Sequence, residues 1–435
     1  MQILIKYTGL ILCFFLMQLN SGLAQDEVLE YIDKTYVDHI HTVRLADISN
    51  PFGEPILLFN SGQRLQLSFD DFSEDTRSYV YTVVHCNADW TPSDLTELDY
   101  MDGFTEGEIE EYDFSINTLT PYTNYTLMIP NEEISWSKSG NYLLKVYDIE
   151  DERELVLTRR FVVFERVMPV NARFLASSSS FDTHQEISFD IVLNGMRVDN
   201  PTREITVVVQ QNRRWDNAIY AHKPRYERKE KLVYDTRDQF SFGAGKEFRY
   251  LDLRSVERRQ HSISEIIREQ DGYQITLFSD EPRSDKSFLR QPDMNGRFVI
   301  ENADQQSNSD NVRADYANVL FSLKYNQELA DHDVYLVGDF NNWYPDARYK
   351  MVYNNLIHSY VAKPKLKQGV YDYMYAVLPK SGGTKMALSE LEGHWYETEN
   401  DYRILVYYRP FGARYDRLVA VQPINTVKQN NVNSR

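Results

Sequence analysis

Apolar side chains recur at every second position along much of this chain, and no other feature restricts its fold as strongly. Leu65, Leu67 and Phe69 interleave with Gln66 and Ser68, and Tyr142, Leu144 and Val146 interleave with Leu143 and Lys145. The pattern returns at Ile187, Phe189 and Ile191, at Ile205, Val207 and Val209, at Val319, Phe321 and Leu323, and at Tyr371, Tyr373 and Tyr375. Side chains two apart share one face of a strand, so the alternation predicts half-buried β-strands. Turn signals separate the runs, among them Asn60-Ser61-Gly62, Lys138-Ser139-Gly140, Met294-Asn295-Gly296 and Ser381-Gly382-Gly383, as antiparallel sheets require. Two stretches leave helix and strand open: residues 26–32, with Val28, Leu29 and Ile32, and residues 262–268, with Ile263, Ile266 and Ile267. The 31 tyrosines suit pleated strands and protein interfaces alike. The economical fold is all-β, a row of tandem Ig-like or early-set β-sandwich domains.

The ends and breaks divide that row. Lys6, the apolar run Tyr7–Leu19 and the small residues Gly22 and Ala24 predict an export signal over 1–24, cleaved before Gln25. The run is shorter than the roughly 18 to 20 residues that cross a bilayer, so a chain that does not span a membrane is expected. Cys13 sits inside the run without the small residue of a lipobox before it, and its removal leaves Cys86 with no disulfide partner. Size must replace covalent staples, and domains of about 100 to 200 residues imply several separate cores. A strand run ending at Phe164, then Pro169 and the serines Ser177 to Ser180, places one sandwich over 25–165 and a second over 166–303. The polar run Glu301 to Val312 supplies a linker over 304–312. A C-terminal early-set-like sandwich follows over 313–422, and residues 423–435 read as a frayed tail. Loss of Lys6 takes the formal charge from −18 to −19 (−18 minus 1). Such a surface repels nucleic acid and acidic lipid, while a hydrophobic fraction of 42% is too high for a disordered acidic tail. A folded periplasmic protein, monomeric before it docks, is the expectation.

Familiar catalytic signatures are missing: the chain has no G-x-S-x-G, no H-E-x-x-H and no phosphate loop. Gly243-Ala244-Gly245-Lys246 lacks the full glycine spacing and the Ser or Thr that would hold a metal, and reads as a hairpin turn. His85 and Cys86 precede Asp89 and Trp90, but neighbours on a strand point to opposite faces, so Cys86 reads as a packed small hydrophobe. The histidines lack metal-ligand spacing, and no metal, cofactor or catalytic residue is expected. From Arg213 to Lys231 the chain turns locally basic, with Arg213, Arg214, Lys223, Arg225, Arg228, Lys229 and Lys231 around Trp215 and Tyr220. Arginines among aromatics make either a partner-binding patch or a solvated loop.

Two resemblances add to this reading. "VYLVGDFNNWYPD", Val334 to Asp346, resembles the early-set sandwich of glycogen-binding and family 48 carbohydrate-binding modules. That resemblance implies a sugar platform at Trp343, helped by Trp395 in Glu392-Gly393-His394-Trp395, with a purely structural turn as the other reading of Trp343. At the scale of the whole chain, "NPFGEPILLFNSGQRLQLSFDDF" (Asn50 to Phe72), "VVHCNADWTPSDL" (Val83 to Leu95), "SGNYLLKVY" (Ser139 to Tyr147), "VVQQNRRWDNAI" (Val208 to Ile219) and "TENDYRILVYYRPFGARYDRLV" (Thr398 to Val419) are similar to the plug proteins of the type IX secretion system. This implies a periplasmic partner of the giant outer-membrane translocon barrel, closing its channel when no cargo is in transit, in the export of adhesins, hydrolases or gliding machinery of Bacteroidota. Arg414, Tyr415 and Asp416 match the family's C-terminal signature, as partner contacts or as residues that hold a sandwich edge. A glycan-binding envelope protein built on Trp343 and Trp395 is the alternative function.

Overall fold

The computed structural model describes residues 29–50, 52–151, 153–175, 182–305, 310–383 and 385–427. The expected export signal over 1–24, Cys13 and the serines Ser177 to Ser180 therefore lie outside the described residues, as do positions 306–309 of the linker and 428–435 of the tail. The fold is all-β, with several sheets packed as sandwiches; the described helices are single turns such as Glu97–Tyr100 and Pro201–Glu204. Of residues 262–268, left open by the sequence, all but the first form the strand Ile263–Arg268, and residues 29–32 are not helical.

The strands from Lys34 to Phe164 pair among themselves. One sheet runs Lys34–Thr35, Glu154–Phe164, Gly140–Asp148, Tyr79–Cys86 and Gly107–Glu108, with Ile56–Leu58 added in parallel to Val162, Val163 and Phe164. The other runs Ile40–Asp47, Leu65–Asp71, Thr123–Ile129 and Glu111–Phe114. The inward positions of the alternation fill the space between: Leu65, Leu67 and Phe69 meet Tyr81, Tyr142, Leu144 and Phe161 in one buried cluster. Tyrosine serves here as core. Phe69, Tyr79 and Tyr125 contact one another at centroid distances of 5.3, 5.3 and 4.9 Å. The Tyr79 hydroxyl donates to the Asp71 carboxylate at 2.9 Å, so the buried polar tip is satisfied.

Beyond Phe164 the pairings depart from a consecutive division into 166–303 and 313–422. A sheet of Val170–Leu175, His184–Val192, Lys231–Tyr234 and Tyr226–Arg228 faces one of Ile219–Ala221, Ile205–Gln211, Asp401–Tyr408 and Arg417–Asn425. The last two strands thus complete the middle sandwich, with Ile404, Val406 and Val419 packed against Ile187, Phe189 and Val207. Arg249–Asp252 and Phe298–Ile300 instead pair with Gly369–Pro379, in a ten-stranded sheet that also holds His332–Val337, Lys350–Asn354, Ser359–Ala362, Tyr316–Lys324 and Tyr273–Leu277. That sheet curls over a single core of Leu251, Ile275, Val319, Phe321, Leu336 and Tyr375. Pro423 lies inside the strand Arg417–Asn425, so residues 423–425 are paired and not frayed. In the polar run, Asp304 accepts from Ser255 Oγ and Val256 N at 2.5 and 2.9 Å, which ties the described part of the linker to the third body. Turn residues reveal where strands end; partners hundreds of positions away leave no local mark.

Because Ile205, Val207 and Val209 take their central neighbour from the end of the chain, a chain stopped after Glu397 leaves a long apolar edge open. It is expected to bind a hydrophobic dye and to lose the cooperative melt of the full chain; a melt indistinguishable from the full chain would contradict this pairing.

Candidate functional site

The chemistry of this molecule is concentrated where the three sandwiches meet. Between the first and third, Lys367 Nζ lies 2.5 Å from the Asp70 carboxylate, and both side chains are almost wholly buried. The Tyr316 hydroxyl also donates to Asp70, Asn124 Nδ2 does so at 2.7 Å, and the Lys367 ammonium sits 4.2 Å from the centre of the Tyr122 ring. Asp315 accepts from the amides of Leu119 and Thr120 at 2.6 and 3.1 Å, and the Tyr122 hydroxyl donates to the carbonyl of Ala314 at 2.8 Å. Burial pushes the Lys367 ammonium down from its ordinary value and Asp70 opposes the shift. A buried charge is tolerated only with such a partner set.

Between the first and middle sandwiches the seam is made by the segment Arg409 to Arg417. Arg414 donates to Asp99 at 2.9 Å, Asp416 accepts from the Ala88 amide at 2.9 Å, and Arg409 donates to Asn87 at 2.6 Å. The Tyr415 ring meets His85 edge-on at 5.3 Å. Burial holds His85 down at about 4, so it is neutral at ordinary pH. Its Nε2 donates to the Ser139 carbonyl at 3.2 Å, which leaves Nδ1 to accept from Ser93 Oγ at 2.9 Å. Gly140, with φ at +146°, passes so close to that imidazole that a Cβ would strike it. The Tyr407 hydroxyl donates to Asn141 at 2.7 Å, and Arg417 to Glu165 at 2.7 Å.

All three bodies converge on a chain of charges. Glu54 of the first accepts from Arg403 of the middle and lies 3.4 Å from Arg297 of the third, which lies 3.1 Å from Asp401. Arg213 and Asp339 pair at 2.6 Å. Burial would raise the Glu54 carboxyl, but the guanidiniums of Arg403, Arg213 and Arg297 bring it below its ordinary value. Beside this chain opens a cleft of about 1070 Å³, whose walls include Phe52, Phe164, Arg166, Met168 and Ile424.

The basic stretch singled out in the sequence is not one patch. Arg213 is turned inward onto Asp339, and Arg214 is buried, forked onto Asp216 at 3.0 and 2.6 Å and lying 4.5 Å over the ring of Trp343. Trp215 meets Trp90 edge-on at 4.9 Å, with the Arg160 guanidinium over both rings. Tyr220 is exposed, and Arg225 pairs with Asp235 at 3.4 Å at the surface. Arg414, Tyr415 and Asp416 hold the seam just described.

The sugar platform expected from the carbohydrate-module resemblance is not presented. Trp343 is 5% exposed, wedged against Phe248 and covered by Arg214; Gly296, at φ +84°, has no room for a Cβ beneath it. Glu392, at the turn before Trp395, is fully buried between Arg249 and Arg283 at 2.9 and 2.7 Å. Trp395 is partly exposed, stacked on Phe288 at 5.6 Å, with its indole N–H donating to Glu397 at 3.2 Å. Lys246 donates to the carbonyls of Arg283 and Lys286. Burial pushes the Cys86 thiol up to about 12, far from a nucleophilic thiolate. Among the described residues no group of three or more His, Cys, Asp or Glu could hold a metal ion, and no helix is long and apolar enough to cross a membrane.

Sequence reasoning missed Asp70, Lys367, Glu54 and Arg403. Asp70 carried a faint signal, a carboxylate at the end of the apolar strand "LQLSFDDF"; the others carried none.

Residues 40–165, the first sandwich without its leading strand, match a family model described as type 9 secretion system plug protein, first domain. The crystal structure of a hypothetical protein from Parabacteroides merdae is similar over 92% of this chain and 100% of its own, with 31% identity and a TM-score of 0.87. No match was found among curated proteins.

Two outcomes follow from the buried charges. Asp70→Ala strands the Lys367 ammonium and is expected to lower stability by about 3–5 kcal/mol in denaturant titrations, with Asp70→Leu/Lys367→Met recovering most of it. Asp372 is fully buried, accepts from the amides of Met294 and Gly296, and is pushed up to about 8, first by burial and then by Asp293. With its pKa raised on folding, the stability it contributes is whole below about pH 4 and is lost as pH rises through 8. Asp372→Asn is therefore expected to raise the melting temperature by a margin that grows from pH 4 to 8 and then levels; a margin independent of pH would refute the assignment.

Proposed function

We propose that this chain, which belongs to the type 9 secretion system plug protein family, is the periplasmic subunit that occludes the channel of the system's outer-membrane barrel by protein–protein contact. The observation that carries the reading is mechanical: the three sandwiches are joined to one another by paired charges, fully buried at Asp70–Lys367. A body that blocks a wide channel must resist bending, and packed seams with satisfied polar groups provide that resistance. Occlusion needs no bond-making, so the chain works without catalysis. It requires only an interface free energy that a competing cargo-loaded state can overcome. Trp343, buried beneath Arg214, gives no support to glycan recognition as the main activity.

Tagged protein is expected to be retained with the translocon barrel from solubilised outer membranes, and its removal to change secretion or envelope permeability. Absence of both effects would sink the reading.

A further inference from the structure

The seam between the first and middle sandwiches also carries a feature that its own stability does not explain. Pro410, Phe411, Gly412 and Ala413 form a tight turn closed by the Ala413 amide on the Pro410 carbonyl at 3.0 Å, with Gly412 at φ +85°. Glycine at the third position is what a turn of this hand demands. Phe411, at its second position, is 101% exposed. The turn is clamped at both ends. Arg409 binds Asn87 at 2.6 Å and Asp416 at 3.3 Å, and Arg414 binds Asp99 at 2.9 Å. Asp99 in turn fixes the helical turn Glu97–Tyr100, accepting from the amide and hydroxyl of Thr96 at 2.8 and 2.9 Å. That turn presents Leu98, which is 86% exposed. One ion pair thus holds two elements, from two sandwiches, each offering an uncovered apolar side chain.

We infer that Phe411, assisted by Leu98, is a preformed anchor that seats in an apolar pocket of a protein partner. A single exposed apolar residue is ordinary; one on a turn that Gly412 permits and two paired guanidiniums hold at its ends needs less backbone ordering on docking. Buried aromatic anchors contribute most of the affinity at protein interfaces, and preorganisation raises what each delivers. A lipid surface is the poorer occupant. The two cations that flank the turn, Arg409 and Arg414, are already paired with Asp416 and Asp99, and the formal charge of the chain is −18, which acidic headgroups repel. The inference rests on the secretion reading only for the identity of the partner.

The test uses the full chain. Phe411→Ser and Leu98→Ser/Phe411→Ser are compared with wild type and with Leu289→Ser, a control that removes a side chain 74% exposed elsewhere. Retention on the solubilised translocon is expected to fall at least tenfold for Phe411→Ser and further for the double variant, with melting temperatures and the Leu289→Ser retention unchanged. A photo-crosslinking phenylalanine at 411 is expected to form an adduct with a translocon subunit. Wild-type retention equalled by both serine variants would overturn the anchor and leave occlusion standing. Loss of retention without any adduct at 411, or flotation of wild type but not Phe411→Ser with phosphatidylglycerol vesicles, would also overturn it. A wild-type chain that is never retained would sink the occlusion reading and this inference together.

Discussion

The pairing of Ile205–Gln211 with Asp401–Tyr408 organises the molecule. Seven residue pairs from Ile205↔Tyr408 to Gln211↔Tyr402 set two strands side by side that lie almost 200 positions apart, and the ten-stranded body between them becomes an excursion from the middle sandwich. Both connections to that body leave from the same sandwich, so it is tethered twice. A single flexible linker would allow it to swing; two strands entering one sheet do not. The seams at Asp70–Lys367, Arg213–Asp339 and Glu54–Arg403–Arg297 then fix what little freedom remains.

Those seams contribute more to geometry than to net stability. Removing two charges from water costs several kcal/mol each before their attraction is counted, and apolar replacements of similar volume often do as well. What an ion pair adds is intolerance of misplacement. Lys367 also donates to the carbonyl of Asn311 in its own body, but it has a charged partner only when the third sandwich sits against Asp70, and a shift that separates them leaves a buried ammonium uncompensated. On the occlusion reading proposed above, that intolerance is itself a functional property.

The strands themselves were legible: the alternations at 65–69, 142–146, 187–191, 205–209, 319–323 and 371–375 all lie in strands, because period two is a local consequence of the pleat. The stretch 262–268 stayed open because Ile263, Ile266 and Ile267 fit neither period cleanly, and a bulge between Ile263 and Glu265 accounts for that. What could not be read was the partner of each strand. The polar run after Glu301 reads as a break between domains, yet the sheet on either side of it is the same one, because Phe298–Ile300 and Tyr316–Lys324 both belong to it. The basic stretch is divided for a related reason: Arg213 is paired by Asp339, more than a hundred residues on, while Asp216 stands beside Arg214 in the sequence but its pairing with it is set by the fold. Trp343 sits in a tight turn as its motif implied, and the covering guanidinium of Arg214, more than a hundred residues earlier, together with Phe248 and Met386 turns it from surface to interior.

Synthesis proceeds from the N-terminus, and the order of the strands imposes a timetable. The first sandwich has all its strands once Phe164 has emerged and can close early. The middle one must wait a further 190 residues after Gln211 (401 minus 211), holding Ile205, Val207 and Val209 on an unsealed sheet until Asp401–Asn425 arrives to complete it. Such delayed long-range closure is slow, and an unsealed apolar edge is where newly made chains stick to one another. The hazard in the life of this protein therefore falls before maturity, in the interval between the appearance of Gln211 and that of Asp401.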